Sequence, residues 1–368
     1  MAAERWLRRA WRGDIGPVSA AGLVALAGLY GCGVAVRAAL YAVGVLRTRR
    51  LACPVISIGN ITLGGSGKTP LTELVARAIV GLGSKPAVLS RGYGRRSRGV
   101  QIVADAQGVR LGARDGGDEP VLLAERLPGI PVVVGESRYE AGRVALERCG
   151  ADTLVLDDGF QHRTLAKDLE IVAVAGRAPW GNGRMFPRGA LREPVSALRR
   201  AHVIVVTNAP APTAVEEIRE ALGRHADAAA VVAATTVPET AREVETGRVA
   251  PPGALRGRRL LAFAGLAAPE GFAATLRTLG ADVAEVVEFR DHHPYTRDEI
   301  EALMVRARAA GAEALVTTEK DWVRVREIGA PGIPLWVLAV RMCLDRPEIL
   351  GQALARALLA RGVERSNQ

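Results

Sequence analysis

Short unbroken apolar runs alternate along this chain with longer segments whose apolar positions recur at helical spacing. The runs include "CPVISIGN", "KPAVLS", "IPVVVG", "ADTLVLDD", "LEIVAVAG" and "AHVIVVTNAP" in the first two thirds. "RLLAFAGLA", "VAEVVEF", "EALVTT" and "IPLWVLAVR" follow. An unbroken run reads as a strand buried on both faces, as a central strand of a parallel sheet must be. Helices are predicted between them: over "PLTELVARAIVGLG", with Pro70 in the first turn and Gly81 or Gly83 closing it, from about Glu119 to Leu127, over "YEAGRVALERCG", and from Thr213 to Arg224. Two more start at Pro269 and Thr296, and a last one ends the chain. This alternation predicts an α/β fold with a doubly wound, mostly parallel sheet. Residues 238–258 are polar and break the pattern, so we place a linker or hairpin at 241–257, a core lobe over 51–240 and a smaller α/β lobe over 258–368.

The N-terminus departs from the alternation. Ile15 to Val36 carries no charge, is long enough to cross a bilayer, and has Arg5, Arg8, Arg9 and Arg12 before it and Arg37, Arg47, Arg49 and Arg50 after it. Residues 1–50 are therefore read as a membrane-anchoring segment with a membrane-associated helix. Arginine on both flanks leaves open whether it spans the membrane or lies in the interface. A buried soluble helix is the plain alternative.

At 368 residues and 49% hydrophobic content, the chain has material for two lobes. Its 49 basic and 39 acidic residues leave a net charge of +10, and lysine occurs only at Lys68, Lys85, Lys167 and Lys320. Arginine excess fits a phosphate-bearing or phospholipid partner, or a compositional bias of the source genome. Aromatics are only 4%, and no zinc-finger or RNA-recognition pattern is present, which argues against nucleic acid. The cysteines Cys32, Cys53, Cys149 and Cys343 are too dispersed for a disulfide framework or a structural zinc site. No obligate protein partner is expected.

The chemistry starts at "IGNITLGGSGKTP", between a strand and a helix. Gly59, Gly64, Gly65 and Gly67 let successive backbone amides face one anion, and the helix that opens near Lys68 adds its positive end. Lys68 would reach the outer phosphates of a nucleotide, and Thr69 would hold Mg²⁺. Thr62 stands where the usual pattern has its first glycine. "TLVLDDGFQH" supplies Asp157 and Asp158 at a strand end, where two adjacent carboxylates call for a cation such as ATP-bound Mg²⁺. A retained anchor is preferred over a cleaved signal peptide, because cleavage would carry an ATP site out of the cytoplasm.

Transfer to a hydroxyl benefits from a group that takes its proton. His162, His292 and His293 lie in compact polar segments, and Asp118 in "GGDEP" is a separate acid at a loop-to-helix junction. Arg91, Arg138 and Arg192 occupy glycine-rich basic loops and are candidates to neutralise phosphate.

Together "GNITLGGSGKTP", "SRGYGR", "GDEP", "LDDGFQH", "GNGRMFPRGALRE", "FRDHHPY" and "TTEKD" resemble, in order and over nearly the whole chain, the tetraacyldisaccharide 4'-kinases of Gram-negative bacteria. The resemblance implies a P-loop NTPase-like core and transfer of the ATP γ-phosphate to the 4'-hydroxyl of a tetraacylated glucosamine disaccharide 1-phosphate, giving lipid IV-A in lipid A biosynthesis. It implies ATP and Mg²⁺ as cofactors, an inner-membrane location and an active site on the cytoplasmic face. It casts Lys68 and Thr69 as phosphate and metal ligands with Ser66 in the same nucleotide-binding loop, Asp157 and Asp158 as organisers of Lys68 and the metal, and Asp118 as a base oriented or tuned by His292, with His293 the alternative. Tyr93, Glu119, Gln161, His162, Arg192 and Glu193 match positions lining the site. Trp322 follows "TTEKD" where a small residue is common, which weakens a role for that strand end in an adenine pocket. On the residues alone, a membrane-associated regulatory NTPase, a soluble small-molecule P-loop kinase and a non-catalytic binding module stay open.

Overall fold

Each apolar run becomes a strand. The computed structural model describes residues 6, 9–11, 14–223, 225–226, 228–265, 269–329 and 332–366. Helix α1 spans Pro17–Ala42. The core follows with β1 (Val55–Gly59), α2 (Lys68–Gly81), β2 (Pro86–Ser90), β3 (Gln101–Asp105), α3 (Asp118–Arg126), β4 (Val132–Val134), α4 (Arg138–Cys149), β5 (Thr153–Leu156), β6 (Leu169–Ala175), β7 (Val203–Thr207), α5 (Pro212–Leu222) and β8 (Ala230–Glu243). Then come β9 (Arg259–Ala264), α6 (Pro269–Thr278), β10 (Asp282–Glu288), α7 (Arg297–Ala309), β11 (Ala314–Thr318), α8 (Glu319–Val325), β12 (Leu335–Leu344) and α9 (Pro347–Ser366).

One sheet carries them all, in the order β10-β9-β11-β12-β8-β7-β6-β1-β5-β2-β4-β3. Neighbours run parallel except at β3–β4 and β8–β12. Every residue of β1 is buried, as its apolar sequence between two parallel neighbours requires.

Strand β8 joins the two halves. Its first residues pair with β7, from Val203↔Ala230 to Thr207↔Ala234, and the strand pairs antiparallel with β12 from Leu344↔Ala234 to Trp336↔Glu243. It runs through residue 240 without a break, and Val249–Ala250 folds back on Arg242 and Ala241 as a hairpin. Helix α9 returns to the first half, where Leu350, Leu354 and Ala357 join the cluster of Ile56, Leu71 and Val205. Cys32, Cys53, Cys149 and Cys343 are all free thiols.

Helix α1 is the one described helix long and apolar enough to cross a membrane. Leucine and valine side chains such as Val18, Leu26, Leu29 and Val36 are exposed on it. Its other edge meets the core: the Tyr30 hydroxyl donates to the Arg192 carbonyl (3.0 Å), Arg37 donates to the Gln161 carbonyl (3.1 Å), and Tyr30 packs edge-on to Phe186.

Gly59 ends β1 for a steric reason. A Cβ there would lie 2.5 Å from the Phe160 Cβ and 2.7 Å from its backbone nitrogen. Gly59→Ala would push the loop after β5 off the strand. We expect a loss of about 1–3 kcal/mol of stability, as for other overpacked sites, measured as a lowered denaturant midpoint.

Candidate active site

The loop between β1 and α2 is held from both sides. Gly64 (φ +107°) and Gly67 (φ +74°) take left-handed backbone that other residues rarely adopt. The Ser66 hydroxyl accepts from Asn60 Nδ2 (2.9 Å), and its carbonyl accepts from the Thr207 hydroxyl (3.1 Å). Thr62 pairs with Leu191 in an isolated antiparallel bridge, flanked by hydrogen bonds from Leu63 N to Ala190 O and from Arg192 N to Ile61 O, each 2.7 Å. The position that usually holds a glycine is here a rung of a short ladder, for which a β-branched residue is suited. That ladder also delivers Arg192 to the loop's mouth.

There Arg192 Nη1 contacts both oxygens of Asp158 (2.9 and 3.1 Å) and lies 3.4 Å from Gln161 Oε1. Lys68 Nζ is 3.7 Å from Asp158 Oδ1. Burial works to raise the Asp158 carboxyl, but Lys68 and Arg192 outweigh it and hold it below its usual range. Asp157 is fully enclosed, accepting from the Thr72 and Ser90 hydroxyls (3.2 and 3.3 Å). Burial, reinforced by Glu119 and Asp158, pushes it up to about 7.

Arg138 opens α4 and is only 3% exposed. Its Nη1 donates to the Gly135 carbonyl (2.9 Å), its Nε has no partner, and among the described residues no carboxylate pairs with it. Burial brings it down to about 10. His162 donates or accepts at the Thr164 hydroxyl (2.7 Å), and burial with the charge of Arg138 pulls it to about 4, so it is neutral. Arg91 is exposed at the end of β2, and its charge is felt by both. Glu193 is turned away into a two-pronged pair with Arg200 (2.8 and 3.1 Å), whose guanidinium stacks on Phe160. It braces the loop that carries Asp157 and Asp158.

The second half supplies the other wall. His292 Nδ1 is 2.8 Å from Asp118 Oδ2, and its Nε2 is 3.9 Å from Glu119 Oε1 and 3.8 Å from Asp291 Oδ1. The His292 ring lies 5.5 Å from that of Tyr93. Burial and the charge of Lys320 hold His292 below the usual histidine range. His293 points elsewhere, onto Glu299 at the start of α7 (2.9 Å) and against Phe289. The positive φ of His292 (+57°) splits these neighbours, sending one toward Asp118 and the other into the second half's own core.

Several participants were not singled out from the sequence. Lys320 bridges Glu119 (3.2 Å) and Asp291 (2.8 Å), and Arg324 pairs with Asp118. Arg126 joins Glu73 of α2 (3.0 Å), Glu239 of β8 (2.7 Å) and Glu319 of α8 (3.7 Å). The four-residue spacing of Lys320 and Arg324, which puts both on one face of a short helix, was the available signal. Their partners in the first half, such as Glu119 at 201 residues from Lys320, are too distant in sequence to be read.

An anion cradle on one half of the sheet, met by an acid–histidine pair shared between the halves, fits a kinase built on the phosphate-loop fold. The family model for tetraacyldisaccharide-1-P 4'-kinase matches residues 19–359, and the chain belongs to that family. It is 45% identical over 320 residues to the tetraacyldisaccharide 4'-kinase of Anaeromyxobacter dehalogenans (strain 2CP-C), covering 86% of this chain and 84% of that one. It is 41% identical over 322 residues to the tetraacyldisaccharide 4'-kinase of Syntrophus aciditrophicus, covering 85% and 86%. It is also similar to the crystal structure of the "apo" form LpxK from Aquifex aeolicus in complex with ATP, with a TM-score of 0.73 and 30% identity over 92% of this chain and 99% of that one.

Proposed function

We infer that this chain transfers the γ-phosphate of ATP to the 4'-hydroxyl of a tetraacylated glucosamine disaccharide 1-phosphate, giving lipid IV-A in lipid A biosynthesis. The observation that carries this reading is the Asp118–His292 pair, assembled from both halves of the sheet and adjoining the phosphate loop through Glu119, whose charge reaches Asp157.

The residues present fit ATP and Mg²⁺. The buried guanidinium of Arg138, which among the described residues pairs with no carboxylate and has an unpaired Nε, is a cation suited to an incoming anion. The backbone amides of 64–67 and Lys68 would hold the phosphates, while Thr69, Asp157 and Asp158 would hold the metal. Mg²⁺ offsets charge on the phosphates when bound. Arg192, already on Asp158, is placed to stabilise charge on the transferred group. The proton of the acceptor hydroxyl passes to the Asp118–His292 pair, treated as one titrating unit. With Nδ1 donating to Asp118, the lone pair on Nε2, which lies 3.9 Å from Glu119 and 3.8 Å from Asp291, would be the acceptor. The family resemblance assigns that role to Asp118, and the hydrogen-bond geometry favours the imidazole. Tyr93, Arg91, Gln161 and His162 are proposed to line the sugar and phosphate side.

We further propose that 51–240 and 258–368 act as the two jaws of this cleft, linked through β8 and β12. Helix α1 would lie in the inner-membrane interface with its exposed face in lipid, while Tyr30 and Arg37 keep the rim of the site at the cytoplasmic surface.

The test supplies ATP labelled in the γ-phosphate together with the disaccharide 1-phosphate in detergent micelles. Label is expected in the lipid, dependent on Mg²⁺ and on the acceptor. Hydrolysis without labelled lipid would favour a regulatory NTPase and sink this reading.

A further inference from the structure

Helix α8 is locked onto the loop that bears His292. The Thr318 hydroxyl caps it by accepting from Asp321 N (3.2 Å). The enclosed Asp321 carboxylate accepts from Gly265 N (3.0 Å) and the Tyr295 hydroxyl (2.9 Å). Lys320 and Arg324 stand four residues apart, so they share one face of this helix. Both meet the acid–histidine pair. Lys320 binds the carboxylates near Nε2, and Arg324 Nη2 contacts Asp118 Oδ2 and lies 2.9 Å from His292 Nδ1.

A guanidinium can only donate, and an ionised carboxylate can only accept. Nδ1 stands 2.8 Å from Asp118 Oδ2, where it is satisfied only by carrying the proton and donating to that oxygen; a protonated Nδ1 cannot accept from Arg324, whose N–H then goes to Asp118 instead. The arrangement that sets no lone pair against a lone pair has Asp118 Oδ2 accepting twice, once from Nδ1–H and once from Arg324. The side chains of Asp118, Arg324 and His292 are 7%, 12% and 27% exposed, so the positive charge is weakly screened.

We propose that Arg324 is a positioning residue of phosphate transfer: by sharing Asp118 Oδ2 with His292 it fixes the Nδ1–H tautomer and keeps the pair in its proton-accepting state. This rests on the reading of Asp118 and His292 as the proton acceptor. Asp118 and Glu119 face His292 from α3, and Tyr93 from the loop after β2. Asp291 and His293 flank it on its own loop, and Lys320, Asp321 and Arg324 face it from α8. The carboxylates favour the imidazolium, and the two cations oppose it. Removing Arg324 takes away one of the two opposing cations while burial and Lys320 remain, so the pair binds its proton more tightly than in wild type.

The experiment measures kcat/KM for labelled phosphate transfer against pH in full-length wild type, Arg324→Met, Arg324→Lys and Asp118→Ala. Arg324→Met is expected to move the midpoint of the acidic limb upward by about one pH unit, costing roughly tenfold below that limb. Arg324→Lys retains the charge and is expected to keep the wild-type midpoint, with the KM for ATP unchanged in both. A histidine-selective NMR titration of His292 reads the same shift in protein that is folded but slow. A profile for Arg324→Met that is lower but unshifted, with an unmoved His292 titration, overturns the proposal while leaving the pair intact. Near-normal turnover in Asp118→Ala removes the pair and this proposal with it.

Discussion

Asp118→Asn is expected to lower phosphate transfer by roughly three orders of magnitude, the scale of a lost general base and its orienting partner. The substitution keeps the side chain's shape but removes the charge that both His292 and Arg324 address. The amide could turn its NH₂ toward His292, which favours the wrong tautomer, and Arg324 would be left near an uncharged group. Neither change touches the loop at 64–69, so ATP affinity measured by calorimetry should stay within about twofold of wild type, a difference under 0.5 kcal/mol. Single-turnover transfer separates chemistry from lipid binding. A fall of less than tenfold would return the proton-accepting role to some other group.

Arg138→Met is expected to act in opposite directions on stability and activity. In the resting protein this guanidinium is buried, has an unpaired Nε, sits at the positive end of α4 and feels Arg91 and Arg95. Among the described residues one hydrogen bond, to Gly135, and the more distant charges of Asp157 and Asp158 favour it. Methionine follows much of the same path without the charge, so a stability gain of about 1 kcal/mol is expected from the denaturant midpoint. Transfer should fall by about two orders of magnitude, as for other lost phosphate-neutralising donors. A variant that is both less stable and fully active would mean that Arg138 is an ordinary structural arginine.

Much of the fold was legible because a central parallel strand must be apolar on both faces, and runs such as "VISIG" and "LEIVAVA" have no other easy home. Strand β8 escaped because "AVVAATTVPETARE" is built from small and polar residues and contains Pro238, which usually demotes a strand. It is tolerated where the β8–β12 register shifts. The phosphate loop and Asp157–Asp158 were legible because their chemistry is local. The pairing of Asp118 with His292 spans 174 residues, and no local pattern encodes it. Adjacent histidines cannot be ranked by composition, and only the left-handed backbone at His292 separates them. Glu193 and Arg192 are neighbours with the same apparent claim on the site, yet the ladder at Thr62 turns one toward Asp158 and leaves the other to Arg200.

The uninterrupted sheet limits how such a cleft can open. Two lobes on a loose tether can swing apart freely, but here β8 and β12 pair across the junction from Trp336↔Glu243 to Leu344↔Ala234. Separating Asp118 from His292 without breaking that ladder means flexing it like a leaf spring. The register shift between Ala339 and Val340, beside Pro238, is where the ladder is least regular and where bending costs least. The stiffness of one strand pair would then set how wide the mouth gapes for a lipid headgroup and how firmly it shuts behind it.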